Sequence, residues 1–156
     1  MPRKKRSLER EILPDPKFNS IVLSKFINAV LRKGKKSLAE KIVYGALDII
    51  DEKMKKDPLE VFTQALDNVK PLVKVVSRRV GGSNYQVPME VNQKNAQAMA
   101  FRWIISYAKA RSGGGMKDKL AAELMAAYNK EGASIKKRED THKMAEANKA
   151  FAHMRW

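Results

Sequence analysis

Between residues 72 and 91 the apolar pattern of this chain leaves the helical period. Val-rich segments run up to Val80 and on from Tyr85, on either side of a Gly81-Gly82-Ser83-Asn84 centre. This is the pattern of a β-hairpin. No third strand of the same kind occurs elsewhere, so the hairpin has no sheet to join. An isolated hairpin is only marginally stable, and this one must lean on helices at its base or on a partner. With Val80 opposite Tyr85, Arg78 would face Val87 and Val76 would face Met89. One side then carries Val76, Arg78, Val80, Tyr85, Val87 and Met89, and the other Ser77, Arg79, Gln86, Pro88 and Glu90. Pro88 is acceptable there because both strands of a lone ribbon are edges.

Elsewhere apolar residues recur at helical spacing. From Ser20, one face carries Leu23, Phe26, Ile27, Val30 and Leu31, with Gly34 as the expected stop. Ser37-Leu38-Ala39-Glu40 has capping-box spacing and opens a stripe of Leu38, Ile42, Val43, Ala46, Leu47 and Ile50. Asp57-Pro58-Leu59-Glu60 repeats the device, with Pro58 at the first helical position. Val61, Phe62, Ala65, Leu66 and Val69 follow, and Pro71 ends that helix. After Asn92 comes a stripe of Ala96, Met99, Ala100, Trp103, Ile104, Tyr107 and Ala108. Ser112-Gly113-Gly114-Gly115 is a flexible break before a helix bearing Leu120, Ala121, Leu124, Met125 and Tyr128, ending near Gly132. Ser134 is expected to start a last helix carrying Met144, Ala147 and Phe151, followed by an aromatic tail to Trp156. The predicted fold class is mainly α, a single domain of about six helices with a protruding two-stranded β-ribbon.

The chain has 156 residues, a length that suits one domain. Its 32 Lys and Arg against 17 Asp and Glu leave a net charge of +15. Self-repulsion of that size opposes compaction, so the excess calls for a polyanionic partner. Residues 1–11 read as a basic arm, expected to stay unstructured until an anion neutralises it, and 12–156 as a helical RNA-binding domain. Pro14 and Pro16 predict an extended connector between them. The absence of Cys excludes disulfides, zinc ribbons and thiol catalysis and fits a reducing compartment. No apolar run approaches the ~20 residues of a bilayer span, and no signal-peptide-like segment follows the basic N-terminus. A soluble cytoplasmic protein is expected, with no membrane partner.

Catalytic chemistry finds little support. His142 and His153 are the only histidines, and neither has metal-ligand spacing. Asp140 and His142 sit among Lys136, Lys137, Arg138 and Lys143, which reads as a solvated charged helix rather than an acid–base pair. Gly113-Gly114-Gly115-Met116-Lys117 lacks the spacing of a phosphate loop. Asp48 and Asp51 read as solubilising charge. The chain is expected to be no enzyme and to need no cofactor.

Basic residues gather in five places: the arm, Lys33 to Lys36, the ribbon with Lys74, Arg78 and Arg79, the segment with Lys94 and Arg102, and Lys136 to Arg138. Spread over several faces, they fit a partner that wraps the protein, which folded RNA does and a flat membrane does not. A helix-turn-helix around Gly34 would concentrate charge on one recognition helix, unlike the distribution here. Tyr85, near Arg78 and Arg79, is either a base-stacking residue or a prop against Val80 and Val87. Trp103 lies on an apolar stripe and reads as core.

Several blocks carry a family resemblance. They are Ile12-Leu13-Pro14-Asp15-Pro16-Lys17-Phe18, Phe26 to Asn28 with Gly34-Lys35-Lys36, and Asn68-Val69-Lys70-Pro71. Ser77-Arg78-Arg79-Val80-Gly81-Gly82, Tyr85-Gln86-Val87-Pro88, Arg102-Trp103 and the segment from Lys136 to Arg155-Trp156 follow in order. Along essentially its whole length the chain resembles the family of bacterial small-ribosomal-subunit protein seven. Only Gly113-Gly114-Gly115 departs, being more flexible than the usual polar loop. The resemblance implies a structural constituent of the small ribosomal subunit, in the cytoplasm. It implies primary binding to the 3′ major domain of small-subunit (16S) rRNA, nucleation of head assembly, and a place at the subunit interface near the decoding centre. The ribbon would then lie near exit-site tRNA and mRNA, with small-subunit proteins nine and eleven as neighbours. Some family members also bind their own mRNA. The residues expected to meet RNA are Arg3, Lys4, Lys5, Arg6, Arg10 and Arg155 at the termini and Lys35 and Lys36 after the first helix. To these are added Lys74, Arg78, Arg79 and Tyr85 on the ribbon, Lys94 and Arg102 beyond it, and Lys136, Lys137, Arg138 and Lys143 near the C-terminus.

Overall fold

The structure, a computed structural model, describes residues 11–154. The chain orders as α1 (Ile21–Val30), α2 (Lys36–Met54), α3 (Pro58–Val69), β1 (Val73–Val80), β2 (Ser83–Glu90), α4 (Gln93–Ala110), α5 (Met116–Tyr128), α6 (Ala133–Ala147) and a 3₁₀ segment (Lys149–Met154). Six α-helices and one antiparallel ribbon match the expected fold class. Residues 1–10, and with them the proposed contacts of Arg3, Lys4, Lys5, Arg6 and Arg10, lie outside the described residues, as do Arg155 and Trp156.

Several helix starts follow from local chemistry. The Ser20 hydroxyl accepts the Leu23 N–H, the Asp57 carboxylate accepts the Leu59 N–H ahead of Pro58, and the Asn92 side chain accepts the Asn95 N–H. Each satisfies an amide that the first helical turn leaves open. Helix α3 stops at Val69, before Lys70 takes the extended backbone that Pro71 demands.

Two of the expected signals act differently. Gly34 does not cap α1. The helix ends at Val30, and Lys33 and Gly34, at φ 52° and 74°, turn the chain beyond it. The capping box at Ser37 does not form, because α2 begins one residue earlier, at Lys36, and Ser37 lies inside its first turn. Leu38 is consequently 51% exposed, while Ala39, Val43, Ala46, Leu47 and Ile50 are buried. The connector expected to stay extended through Pro14 and Pro16 instead turns at residues 16–18. Asp15, buried, accepts the Lys17 and Phe18 N–H groups and the Tyr44 hydroxyl. Burial and this carboxylate push the Tyr44 hydroxyl up to about 12.

The core is helix on helix. Phe26 of α1 meets Phe62 of α3 and Phe101 of α4 edge-on, with centroids 5.1 and 5.2 Å apart. Leu47, Ile50, Leu66, Ile104, Leu120 and Leu124 close around them. On α4 the buried face is rotated from the expected stripe. Phe101 and Ile105 are buried, whereas Met99, Trp103 and Tyr107 are only half-buried. The cause is that α4 packs against α1 as well as α5. On α6, Met144 and Ala147 are exposed and Ala145 is buried, because the helix turns its later residues to the ribbon.

The ribbon register also differs from expectation. Val80 pairs with Ser83, Arg78 with Tyr85 and Val76 with Val87. Gly81 and Gly82, at φ 56° and 88°, form the two-residue turn whose twist suits a hairpin, so Ser83 and Asn84 join the strand. A slip of two residues changes partners and leaves every side chain on its face. The expected division of sides therefore stands. The ribbon rests on α6 at its base and on the 3₁₀ segment, whose Phe151 reaches Tyr85 nearer the turn.

These packings separate two aromatic substitutions. Phe26→Ala is expected to destabilise the domain by about 3–5 kcal/mol in urea denaturation, as for a fully buried ring. Trp103→Ala should cost less than half as much, since part of that ring is already solvated. Equal losses would contradict the rotated face of α4.

Candidate nucleic-acid interface

The connector between α1 and α2 is a run of basic residues, Arg32, Lys33, Lys35 and Lys36, all exposed. It lies beside the outer face of α4, where Arg102 and Lys109 stand seven positions apart and so point the same way. Between α1 and α4 opens a cleft of about 480 Å³ floored by Ala29, Phe101 and Ile105 and rimmed by Arg32, Arg102 and Lys109. A second cleft of about 310 Å³ lies on the other side of Arg32 and Lys109, with Val30, Leu38, Ile42 and Met116 in its wall and Lys33 and Lys35 at its edge.

None of Arg32, Lys33, Lys35, Arg102 and Lys109 has an ion pair with a carboxylate among the described residues. Lys109 is held below the ordinary lysine range, first by burial and then by the charge of Arg32. Arg32 and Lys109 thus share this rim with no carboxylate paired to either among the described residues. The sequence reading found Lys35, Lys36 and Arg102 but missed Arg32 and Lys109. The seven-residue spacing on α4 was the available signal for Lys109. Lys36 lies 4.0 Å from Glu40, an exposed pair of little energetic weight.

On the ribbon the two arginines part company. Arg79 is exposed, opposite Asn84 next to the turn. Arg78 is half-buried beside Tyr85, and its Nε is shielded from solvent without a hydrogen-bond partner. Tyr85 packs on Phe151 at 5.4 Å, so the tyrosine is a prop, though against the 3₁₀ segment rather than only Val80 and Val87. Val87 beneath it is fully buried. Lys74, half-buried, shares this covered side. The open side carries Arg79.

The C-terminal cluster splits too. Lys136 and Lys143 are exposed and Lys137 is half-buried. Arg138 turns inward, and its guanidinium donates to the Asn68 carbonyl at the end of α3. Asn68, buried, donates in turn to the Ala127 and Tyr128 carbonyls at the end of α5. His142 is no free surface group either. Its Nε2 accepts the Leu72 N–H at 3.0 Å and ties α6 to the start of the ribbon. Burial and Arg138 lower its pKa, favouring the neutral ring that this bond requires. Lys94, at the start of α4, is exposed.

Two of the groups that catalysis would need have structural roles instead. The Asp118 carboxylate takes the Gly115 N–H at 2.9 Å, so the amide at the start of α5 is served by the chain's own anion. Asp48 pairs with Lys17 at 3.0 Å. No group of three His, Cys, Asp or Glu suited to a metal occurs among the described residues.

The rim chemistry gives a direct expectation. Lys109→Gln should leave the melting temperature unchanged or slightly higher, because it removes a repulsion, while weakening RNA binding. The slope of log affinity against log salt should fall by about one phosphate contact. A destabilised protein with unaltered RNA affinity would refute this assignment of Lys109.

Comparison with known proteins identifies a family. A family model described as ribosomal protein S7p/S5e matches residues 2–149. The chain is 58% identical over 156 residues to small ribosomal subunit protein uS7 of Anaeromyxobacter sp. (strain Fw109-5), covering 100% of both. It is 58% identical over 154 residues to that of Thermotoga neapolitana, covering 99% of each, and 58% identical over 156 residues to that of Myxococcus xanthus, covering 100% of both. With a family model spanning nearly all of it and full-length relatives at this identity, the chain belongs to the ribosomal protein S7p/S5e family and is a structural protein rather than an enzyme.

Proposed function

We propose that this chain, a structural constituent of the small ribosomal subunit, is a primary binder of the 3′ major domain of 16S rRNA that nucleates assembly of the head. The observation that carries this reading is the rim of Arg32, Arg102 and Lys109, three cations around one cleft without a carboxylate partner among the described residues. Such a surface is stabilised by phosphate, which replaces mutual repulsion with attraction and releases counterions. Exposed Lys33, Lys35, Lys136 and Lys143 extend the same chemistry, and the basic arm over residues 1–11 adds further contacts.

The protein reads shape rather than base sequence. Its helices hold the cations at fixed separations, and an RNA junction that is only marginally ordered alone shifts toward the arrangement matching them. No turnover chemistry is required. The open side of the ribbon, with Arg79 near its Gly-Gly turn, faces exit-site tRNA and mRNA in this reading. Its covered side is already engaged by Phe151. Small-subunit proteins nine and eleven are the protein neighbours in this reading, and the same RNA-binding surface would serve for the chain's own mRNA.

Binding to a transcript of the 3′ major domain tests the proposal. With roughly five or more phosphates neutralised, log affinity should fall steeply with log salt, by about 0.7–0.9 per contact. A nearly flat salt response, or equal affinity for an unrelated structured RNA of the same length, would overturn it.

A further inference from the structure

The two clefts described above share their dividing wall. Arg32 and Lys109 line both, so the two cations form a saddle with an apolar-floored hollow on either side. Ala29, Phe101 and Ile105 floor one hollow, and Val30, Leu38 and Met116 wall the other. Each volume, about 480 and about 310 Å³, lies in the roughly 300–1,000 Å³ range of pockets that take small organic ligands.

We infer that this saddle binds a splayed dinucleotide step of single-stranded RNA, with the bridging phosphate on Arg32 and Lys109 and the two flanking bases turned apart into the two hollows. The inference rests on the RNA-binding reading and specifies what it binds at this site. The chemistry of each part fits. A phosphodiester is the anion that two facing cations without a carboxylate require. A nucleobase is flat, largely apolar on its faces and polar on its edge, which suits an apolar floor under a basic rim. Aromatic rings and Arg guanidinium planes are the surfaces on which unpaired bases stack, and Arg32 lines both hollows while Phe101 floors one. A continuous duplex cannot occupy both hollows, because its bases stack on one another and present only phosphate and groove edges outward. An acidic protein segment would satisfy the cations but offers no pair of flat rings for the hollows. Leu38, 51% exposed on a helix whose other apolar residues are mostly buried, has an occupant in this arrangement.

The test uses the full chain and a transcript of the 3′ major domain. Photoreactive benzoylphenylalanine is placed at Leu38 in one variant and at Ala98, on the exposed rim of the other cleft, in a second. The expected result is crosslinks from the two positions to neighbouring nucleotides of one unpaired strand. In parallel, Arg32→Glu with Lys109→Glu, checked for an unchanged circular-dichroism melt, should weaken transcript binding about tenfold or more and abolish both crosslinks when combined with the probes. Crosslinks to a paired stem, to separate strands, or to a protein in assembled subunits overturn the inference. So does their absence while the transcript still binds tightly. Should the unmodified chain fail to bind the transcript, the broader RNA-binding reading falls and takes this one with it. Should the double-Glu variant unfold, the crosslinks alone decide, since those variants keep every charge.

Discussion

A carboxylate with no exposed surface holds the C-terminal half of the fold in place. Glu123 of α5 accepts from Arg111 Nε at 2.6 Å and from the Ser134 N–H at 3.0 Å, and the Ser134 hydroxyl donates to it as well. Removing a carboxylate from water is costly unless charge and hydrogen bonds replace the lost solvation, and here three donors do so. They come from the end of α4, through Arg111, and from the start of α6, through Ser134, so one anion fixes three helices. Gly132 makes the approach possible. At φ 93° it turns the chain into α6, and a Cβ there would sit 3.1 Å from the Ala126 Cβ. Breaking such a network by removing one partner is more damaging than never having had it, because the other charge is left stranded.

This anchoring bears on function through position. Helix α4 carries Arg102 and Lys109 on the flank of its buried face, beside Phe101 and Ile105, and its end is held by Arg111 on Glu123. Helix α6 carries Lys136 and Lys143 outward while Arg138 and His142 reach back to α3 and the ribbon. Several acids are engaged in structure: Glu123 inside, Asp15 and Asp57 at chain turns, Asp118 at a helix start. The rim cations are left without them. The rim cations thus sit on a packed helical frame with no carboxylate paired to them among the described residues.

Much of this was legible in the sequence, for physical reasons that vary by element. Asp57-Pro58 and Asn92 act through their own side chains and rings, so local reading located the starts of α3 and α4. The two glycines of the ribbon turn were equally legible, yet the register was not, since four-residue and two-residue loops differ only in whether Ser83 and Asn84 pair. Even spacing preserved the faces regardless. The face of α4 was misread because a periodic stripe shows amphipathicity but not which neighbour a helix leans on, and contact with α1 brings in Phe101 and Ile105. Of the proposed RNA contacts, Arg102, Lys35 and Arg79 are exposed, while Tyr85 and Arg138 are engaged within the protein. A basic or aromatic residue announces its chemistry in sequence, whereas its direction depends on tertiary packing. Arg32 and Lys109 matter only as a pair, and nothing local links positions so far apart.

The folded protein presents a preformed cationic surface, and RNA is expected to complete it without refolding it. Hydrogen–deuterium exchange of the free chain and of its complex with the 3′ major domain transcript tests this most directly. Added protection is expected along the α1–α2 connector and the C-terminal half of α4, with the core amides of α3 and α5 exchanging as slowly free as bound. Core amides that exchange freely until RNA is added, or a connector that gains no protection on binding, would contradict it.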